Sequence, residues 1–177
     1  MAIQPPRPPG GTTAYEERRF RLRVCELPLR GGRAERRGVV LHGGSVVILP
    51  RLGEDQIVFI RNRRWQLGHR LLELPAGTLG PGEDPAACAA RELEEEAGYR
   101  AGRLVPLQAF YALPGLTTEI MHAFVAEDLT PVGQRLEPDE DIQVQPLAMT
   151  DVRARMARGE LHDMKSLAVL GAWFARG

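Results

Sequence analysis

Glu92, Glu95 and Glu96 stand at i, i+3 and i+4 in the stretch 77–99, GTLGPGEDPAACAARELEEEAGY, a spacing that puts three carboxylates on one face of a helix and turns Glu94 away. Two carboxylates about 4 Å apart repel by roughly 4 kcal/mol at an effective dielectric near 20, so a cluster drawn out of water calls for a cation. Oxygen-only ligands suit Mg²⁺ or Mn²⁺, which commonly take one or two carboxylates and complete their shell with substrate phosphate oxygens. The plainer alternative is a solvated acidic face, where like charges at i, i+4 cost only about 0.2–0.5 kcal/mol. The helix carries its own punctuation: Asp84 suits the N-cap, Pro85 the first helical position, and Gly98 the stop. Before it, residues 71–75 form a short apolar strand with one acid, Glu73, running straight into Ala76-Gly77. The Ala76 carbonyl is thereby expected to face the helix as a further hard oxygen ligand.

A longer regularity spans the same stretch. Five residues separate Gly77 from Glu83, and seven more lead to Arg91-Glu92-Leu93-Glu94-Glu95-Glu96-Ala97-Gly98-Tyr99. Seven fixed residue types, each at roughly 5–7% usage, coincide by chance on the order of 10⁻⁸ per starting position. The pattern resembles the signature of the Nudix hydrolases, with aromatic Tyr99 where an aliphatic residue is usual. From about Leu27 onward the chain is similar to the ADP-ribose pyrophosphatase branch of that family. The matching pieces are Leu72-Glu73-Leu74-Pro75-Ala76-Gly77, Arg61-Asn62-Arg63-Arg64, Pro114 sixteen residues beyond Gly98, Glu119, the acidic loop before Ile142, and Gly159-Glu160-Leu161-His162-Asp163. Asn62 stands where the branch commonly has glutamine, and Leu113-Pro114-Gly115 where it often has Ser-Pro-Gly.

The resemblance implies an α/β fold, an α/β/α sandwich around a mixed β-sheet, and an enzyme that works as a homodimer whose N-terminal strands help bind the adenine end. It implies a metal site of Ala76, Glu92, Glu95 and Glu96 for Mg²⁺, with Mn²⁺ possible, and a general base in Glu140, with Glu95 and Glu119 as alternatives. Arg64 and Arg61 would clamp a diphosphate, Glu73 would accept hydrogen bonds from ribose or base, and Pro114 and Glu119 would lie on the substrate side. Arg91 is expected to pair with Glu83 and hold the loop to the helix, with direct chemistry as the alternative. The implied reaction is hydrolysis of a nucleoside diphosphate sugar, ADP-ribose giving AMP and ribose 5-phosphate; GDP-mannose and flavin adenine dinucleotide are the rival substrates. A ligand-sensing module is the alternative of another class, and the complete set of signature acids argues against it.

Length and composition agree with one globular domain: 177 residues, 44% hydrophobic, 26% charged, formal net charge zero. Zero net charge and the lack of an aromatic-plus-basic platform argue against nucleic acid. No run reaches the roughly 20 apolar residues of a membrane span. With no apolar core of signal-peptide length at the N-terminus, a cytoplasmic protein is expected. Cys25 and Cys88 are far apart, without metal-type spacing, and read as free buried thiols. Basic residues are almost all arginine, with Lys165 the one lysine, which fits phosphate or carboxylate recognition but equally a coding bias.

Residues 1–13, rich in Pro and Gly, read as an extended or disordered arm ahead of a single domain over 14–177, in which 14–42 supply N-terminal strands that could pair two copies. Phe20, Leu22 and Val24 alternate with Arg19, Arg21 and Arg23 as a half-buried strand with a cationic outer face. Strands are expected over 37–42, 45–50, 56–62, 104–111, 119–126 and 142–147, and helices over 150–158 and 162–176. The continuous apolar run Val46-Val47-Ile48-Leu49 implies a strand covered on both faces. Trp65 reads either as core or as a stacking plate for a base. The loop Glu137-Pro138-Asp139-Glu140-Asp141 is either an ordinary acidic turn or a mobile carrier of a catalytic carboxylate.

Overall fold

A computed structural model describes residues 3–8 and 10–176. Among the described residues ten strands form two sheets, accompanied by three α-helices. β1 (Gly11–Glu16), β2 (Phe20–Pro28) and β3 (Ala34–His42) make an antiparallel three-stranded N-terminal sheet. Strand β1 takes in residues 11–13 of the expected arm, while 3–8 and Gly10 have no regular structure and residues 1, 2 and 9 lie outside the described residues.

The main sheet runs β10-β5-β4-β9-β8, with β6 and β7 added at its side. Its strands are β4 (Ser45–Leu52), β5 (Gln56–Arg64), β6 (His69–Glu73), β7 (Ala76–Thr78), β8 (Tyr99–Tyr111), β9 (Ile120–Pro131) and β10 (Ile142–Ala148). β4 and β9 are parallel and their neighbours antiparallel, so the sheet is mixed. The β4 run is covered on both faces, as its unbroken apolar character requires. Val47 and Leu49 join Phe59, Leu74, Leu170 and the C-terminal helices α2 (Met149–Ala157) and α3 (Met164–Phe174). Val46 and Ile48 face the other way, onto Cys88, Ala89 and Leu93 of the signature helix. Helices on both faces of one mixed sheet give the α/β/α sandwich.

The signature helix starts and stops where its punctuation places it. The Asp84 carboxylate accepts from the Ala86 and Ala87 amides at 3.0 and 3.1 Å, satisfying N–H groups that lack helical partners. α1 (Pro85–Glu92) then widens into one π-helical turn, Leu93–Ala97, and ends on Gly98 at φ 72°, a left-handed conformation that glycine takes without strain. In a regular α-helix Glu92 and Glu96 would be offset by about 40°. A wider turn sets them more nearly one above the other, and such turns recur at functional sites.

β4 divides one edge between two partners. Ser45–Val47 pair with β7 and Arg51–Leu52 with β5, while the Ile48 amide donates to the Pro75 carbonyl at 2.9 Å. The start of β7 is thereby pinned beside the π turn. The N-terminal sheet docks on the turn after β8: Val40 N donates to Leu116 O and Thr118 N to Val40 O, each at 2.9 Å. Among the described residues no helix is long and apolar enough to cross a membrane.

Candidate active site

One cleft of about 730 Å³ collects the end of β5, the 76–83 loop, the signature helix, the acidic loop and the start of α3. Its floor is the glutamate ridge. Glu92 and Glu96 are buried at 8% and 3% exposure, and Glu95 lines the cleft beside them. Burial is the main force on Glu96. With like charge from Glu92 and Glu140 added, it outweighs a hydrogen bond from the Ala76 amide and pushes the carboxyl up to about 8. Burial also raises Glu92, against the pull of Arg91. Gly77 makes the close approach possible, since a Cβ there would lie 1.9 Å from the Glu92 carboxyl carbon. Glu94 points away to Arg100 and Arg135, as its helical position demands.

Arg91 binds the ridge to the loop. Its Nε and Nη2 donate to Glu83 at 3.1 and 3.2 Å, and its Nη1 to Glu92 and Glu95 at 2.7 and 2.9 Å. Glu83 also accepts from the Gly80 amide at 2.7 Å. The Arg91 guanidinium, seconded by that amide, holds the Glu83 carboxyl down to about 2.

Ala76 lines the cleft, and the contact seen is through its nitrogen, which donates to Glu96 Oε2 at 2.8 Å. Each of Glu92, Glu95, Glu96 and Glu140 keeps one carboxylate oxygen that receives no protein donor among the described residues. The free oxygens of Glu92, Glu95 and Glu96, on a ridge where burial raises Glu92 and Glu96, fit a hard divalent cation, while that of Glu140 lies on the acidic loop across the cleft. No three Asp, Glu, His or Cys side chains among the described residues already form a metal cage. Arg91 stands between Glu92 and Glu95, so its guanidinium must give way for an ion to be held there.

The opposite charge comes from β5 and α3. Arg64 Nε and Nη2 donate to the two oxygens of Glu73 at 2.8 and 2.6 Å, and Lys165 Nζ reaches the same carboxylate and also Asp163 at 2.9 Å. Asp163 caps α3, accepting from Ser166 N at 3.0 Å, and Ser166 Oγ in turn accepts from the Leu74 amide at 2.8 Å. Burial opposes the Glu73 charge, but the hydrogen bonds from Arg64 and the charge of Lys165 outweigh it and keep its carboxyl below the usual range. Glu73 is 1% exposed with both oxygens taken, so the expected role as an acceptor for ribose or base is corrected: it orients Arg64 and Lys165. Lys165 was not among the expected site residues; its being the single lysine, two residues after an N-cap Asp, was the available signal.

Two further expected residues are placed elsewhere. Arg61 lies on the opposite face of β5 from Arg64, with its Nε donating to Gln145 on β10, and it does not line the cleft. The alternation of a strand separates them. Pro114 sits in the exposed turn where Leu116 N donates to Leu113 O at 2.9 Å, also away from the cleft. Glu119 does line it, accepting from Ser45 Oγ at 2.6 Å with His42 Nδ1 at 3.8 Å. Trp65 is 81% exposed, which excludes the core reading.

Glu140 lies on the same cleft, its Oε2 accepting from the Glu137 amide at 2.8 Å. The acidic loop is held from two sides. Arg70 donates to both oxygens of Asp141 at 2.6 Å, while Arg18 donates to Glu137 at 2.9 Å and Arg19 lies 3.7 Å from Glu137 and Asp139.

Comparison with known proteins agrees with this geometry. The NUDIX domain family matches residues 41–166. The chain is 37% identical over 147 residues to the ADP-ribose pyrophosphatase of Bacillus subtilis, covering 82% of this chain and 80% of that protein. It is 34% identical over 137 residues to the GDP-mannose pyrophosphatase of Citrobacter koseri, covering 72% and 71%. A crystal structure of an ADP compounds hydrolase superposes with a TM-score of 0.78 at 21% identity, over 99% of this chain and 95% of that one, and so shares the fold. With the signature helix, its glutamate ridge and the sandwich in place, the chain belongs to the Nudix family and is a hydrolase.

Proposed function

We propose that this hydrolase cleaves the pyrophosphate bond of ADP-ribose, giving AMP and ribose 5-phosphate, and that it needs Mg²⁺, with Mn²⁺ as a substitute. The observation that carries the reading is one cleft with a buried carboxylate ridge on its floor and Arg64 and Lys165 held at its side by Glu73. The similarity to an ADP-ribose pyrophosphatase over most of both chains supports this substrate.

Glu92, Glu95 and Glu96 would hold the ion, with Ala76 beside them. When bound, it supplies positive charge to the non-bridging phosphate oxygens. Arg64 and Lys165 orient the diphosphate, which converts a bimolecular attack into a positioned one. Glu140 accepts the proton of the attacking water through the oxygen not engaged by Glu137. The water oxygen bonds to one phosphorus, the bridging P–O bond breaks, and the departing phosphate takes the electron pair.

GDP-mannose is the second reading, favoured by the Citrobacter koseri relative. Turnover of ADP-ribose, GDP-mannose and flavin adenine dinucleotide, compared side by side in Mg²⁺ and in chelator, tests both. Preferred ADP-ribose cleavage that stops in chelator is the expected result; equal rates in chelator, or preference for another substrate, would overturn it. The N-terminal sheet is the expected surface for pairing two copies. The buried thiols of Cys25 and Cys88 suit a reducing cytoplasm, where we place the enzyme.

A further inference from the structure

We propose that Trp65 is the nucleobase plate of the cleft, stacking on the purine while its neighbour Arg64 faces the phosphate side. The inference rests on the nucleotide reading of the site and names a specificity-determining residue for it. Trp65 is the one aromatic side chain lining the cleft among the described residues, whose walls are otherwise largely charged or polar. Tyr15 and Tyr111, also exposed, do not line it. The N-terminal sheet brings Arg18 and Arg19 to the cleft, not an aromatic ring.

The exposure of the indole is built in by the turn. An indole 81% exposed forgoes the burial of roughly 150–250 Å² that makes tryptophan a core residue. It is nevertheless not on a loose end. Leu67 N and Gly68 N both donate to Arg64 O, at 3.0 and 2.9 Å, and Gly68 closes the turn at φ 73°. Arg64 is in register with His69 across the β5–β6 hairpin and is clamped to buried Glu73. The turn therefore holds Trp65 outward from a fixed base.

Its surroundings suit a base. Met164, 55% exposed, lines the same cleft and offers a polarisable thioether. Gln66 also lines it, with an amide that can both donate to and accept from a base edge. Consecutive Cα atoms are about 3.8 Å apart, so a plate and a phosphate-facing arginine on adjacent residues match a nucleotide whose base and phosphate flank one ribose. Stacking reads the π-face of any base, so the plate supplies affinity for the nucleoside half and Gln66 the choice among bases.

Calorimetric titration of the full chain in Mg²⁺ buffer with AMP and with ribose 5-phosphate, for wild type, Trp65→Ala and Trp65→Phe, tests this. Loss of one stacked base should weaken AMP about tenfold or more in Trp65→Ala, with Trp65→Phe close to wild type and ribose 5-phosphate unchanged in both. KM for ADP-ribose should rise by a similar factor while kcat stays nearly constant. Unchanged AMP affinity in Trp65→Ala, an equal loss for both ligands, no AMP binding to wild type, or a change in oligomeric state that accounts for the loss would overturn the assignment. If wild type turned over no nucleoside diphosphate sugar, the pyrophosphatase reading would fall by itself, and the AMP titration would still decide the plate.

Discussion

Glu92 and Glu96 set burial against charge. Glu96, raised to about 8, and Glu92, also raised, stay protonated in the fold at pH values where they would ionise in the unfolded chain. The folded state then binds more protons, so their contribution is fully present below the ordinary carboxylate range and is lost as pH rises through the folded values. In chelator, Tm should therefore fall between pH 5 and pH 8, and added Mg²⁺ should restore more Tm at pH 8 than at pH 6; scanning calorimetry reads both. Gly77→Ala drives a methyl into the Glu92 carboxylate and should cost about 10²-fold in kcat/KM through misplacement of the ridge, with weakened Mg²⁺ binding by titration. Glu140→Gln should lower kcat by about 10²–10⁴-fold with Mg²⁺ affinity nearly intact, whereas Glu96→Gln impairs both. Full activity in Glu140→Gln would remove it as the base.

At the scale of elements, the site depends on pieces tied across the sheet. Glu73 closes β6 and fastens β5 through Arg64 and α3 through Lys165. Glu73→Ala leaves two cations facing a buried carboxylate's empty place and should destabilise the fold by about 3–5 kcal/mol in denaturant titration. A loss near zero would mean that the network is relaxed by solvent. The π turn is the second such device, since it arranges Glu92 and Glu96 while Gly98 ends the helix. The α-helical spacing of the glutamates was legible, and so were the caps, because both depend on residues within one or two turns. The widening was not, because no residue type specifies an i→i+5 turn. Arg61 is the opposite case: strand alternation, legible in the sequence, already separates it from Arg64, and the far face is where it lies, against its expected place in the clamp.

At the scale of the molecule, the N-terminal sheet meets the acidic loop through Arg18 and Arg19, more than a hundred positions from Glu137. These ion pairs are exposed, so removing them should change stability little. Their role is to restrain the loop that carries Glu140. Arg18→Ala with Arg19→Ala should lower kcat several-fold, make it more sensitive to salt and leave Tm nearly unchanged; an unaltered kcat would deny the loop its restraint. Sedimentation of the wild-type chain tests whether two copies pair, as expected through the N-terminal sheet.

The chain's order of residues alone determined the glutamate ridge, the helix caps and the family signature, because these follow from periodicity and spacing inside a short window; the sandwich and the Glu83–Arg91 pairing came with the resemblance that the signature carries. The tertiary structure alone decided that Glu73 is a buried anchor, that Lys165 stands beside Arg64, that Pro114 lies off the cleft, and that Trp65 faces solvent. The physical reason is that burial and charge pairing are set by whichever surfaces the sheet brings together, and Glu73 meets Lys165 across a separation of 92 residues that no local pattern encodes.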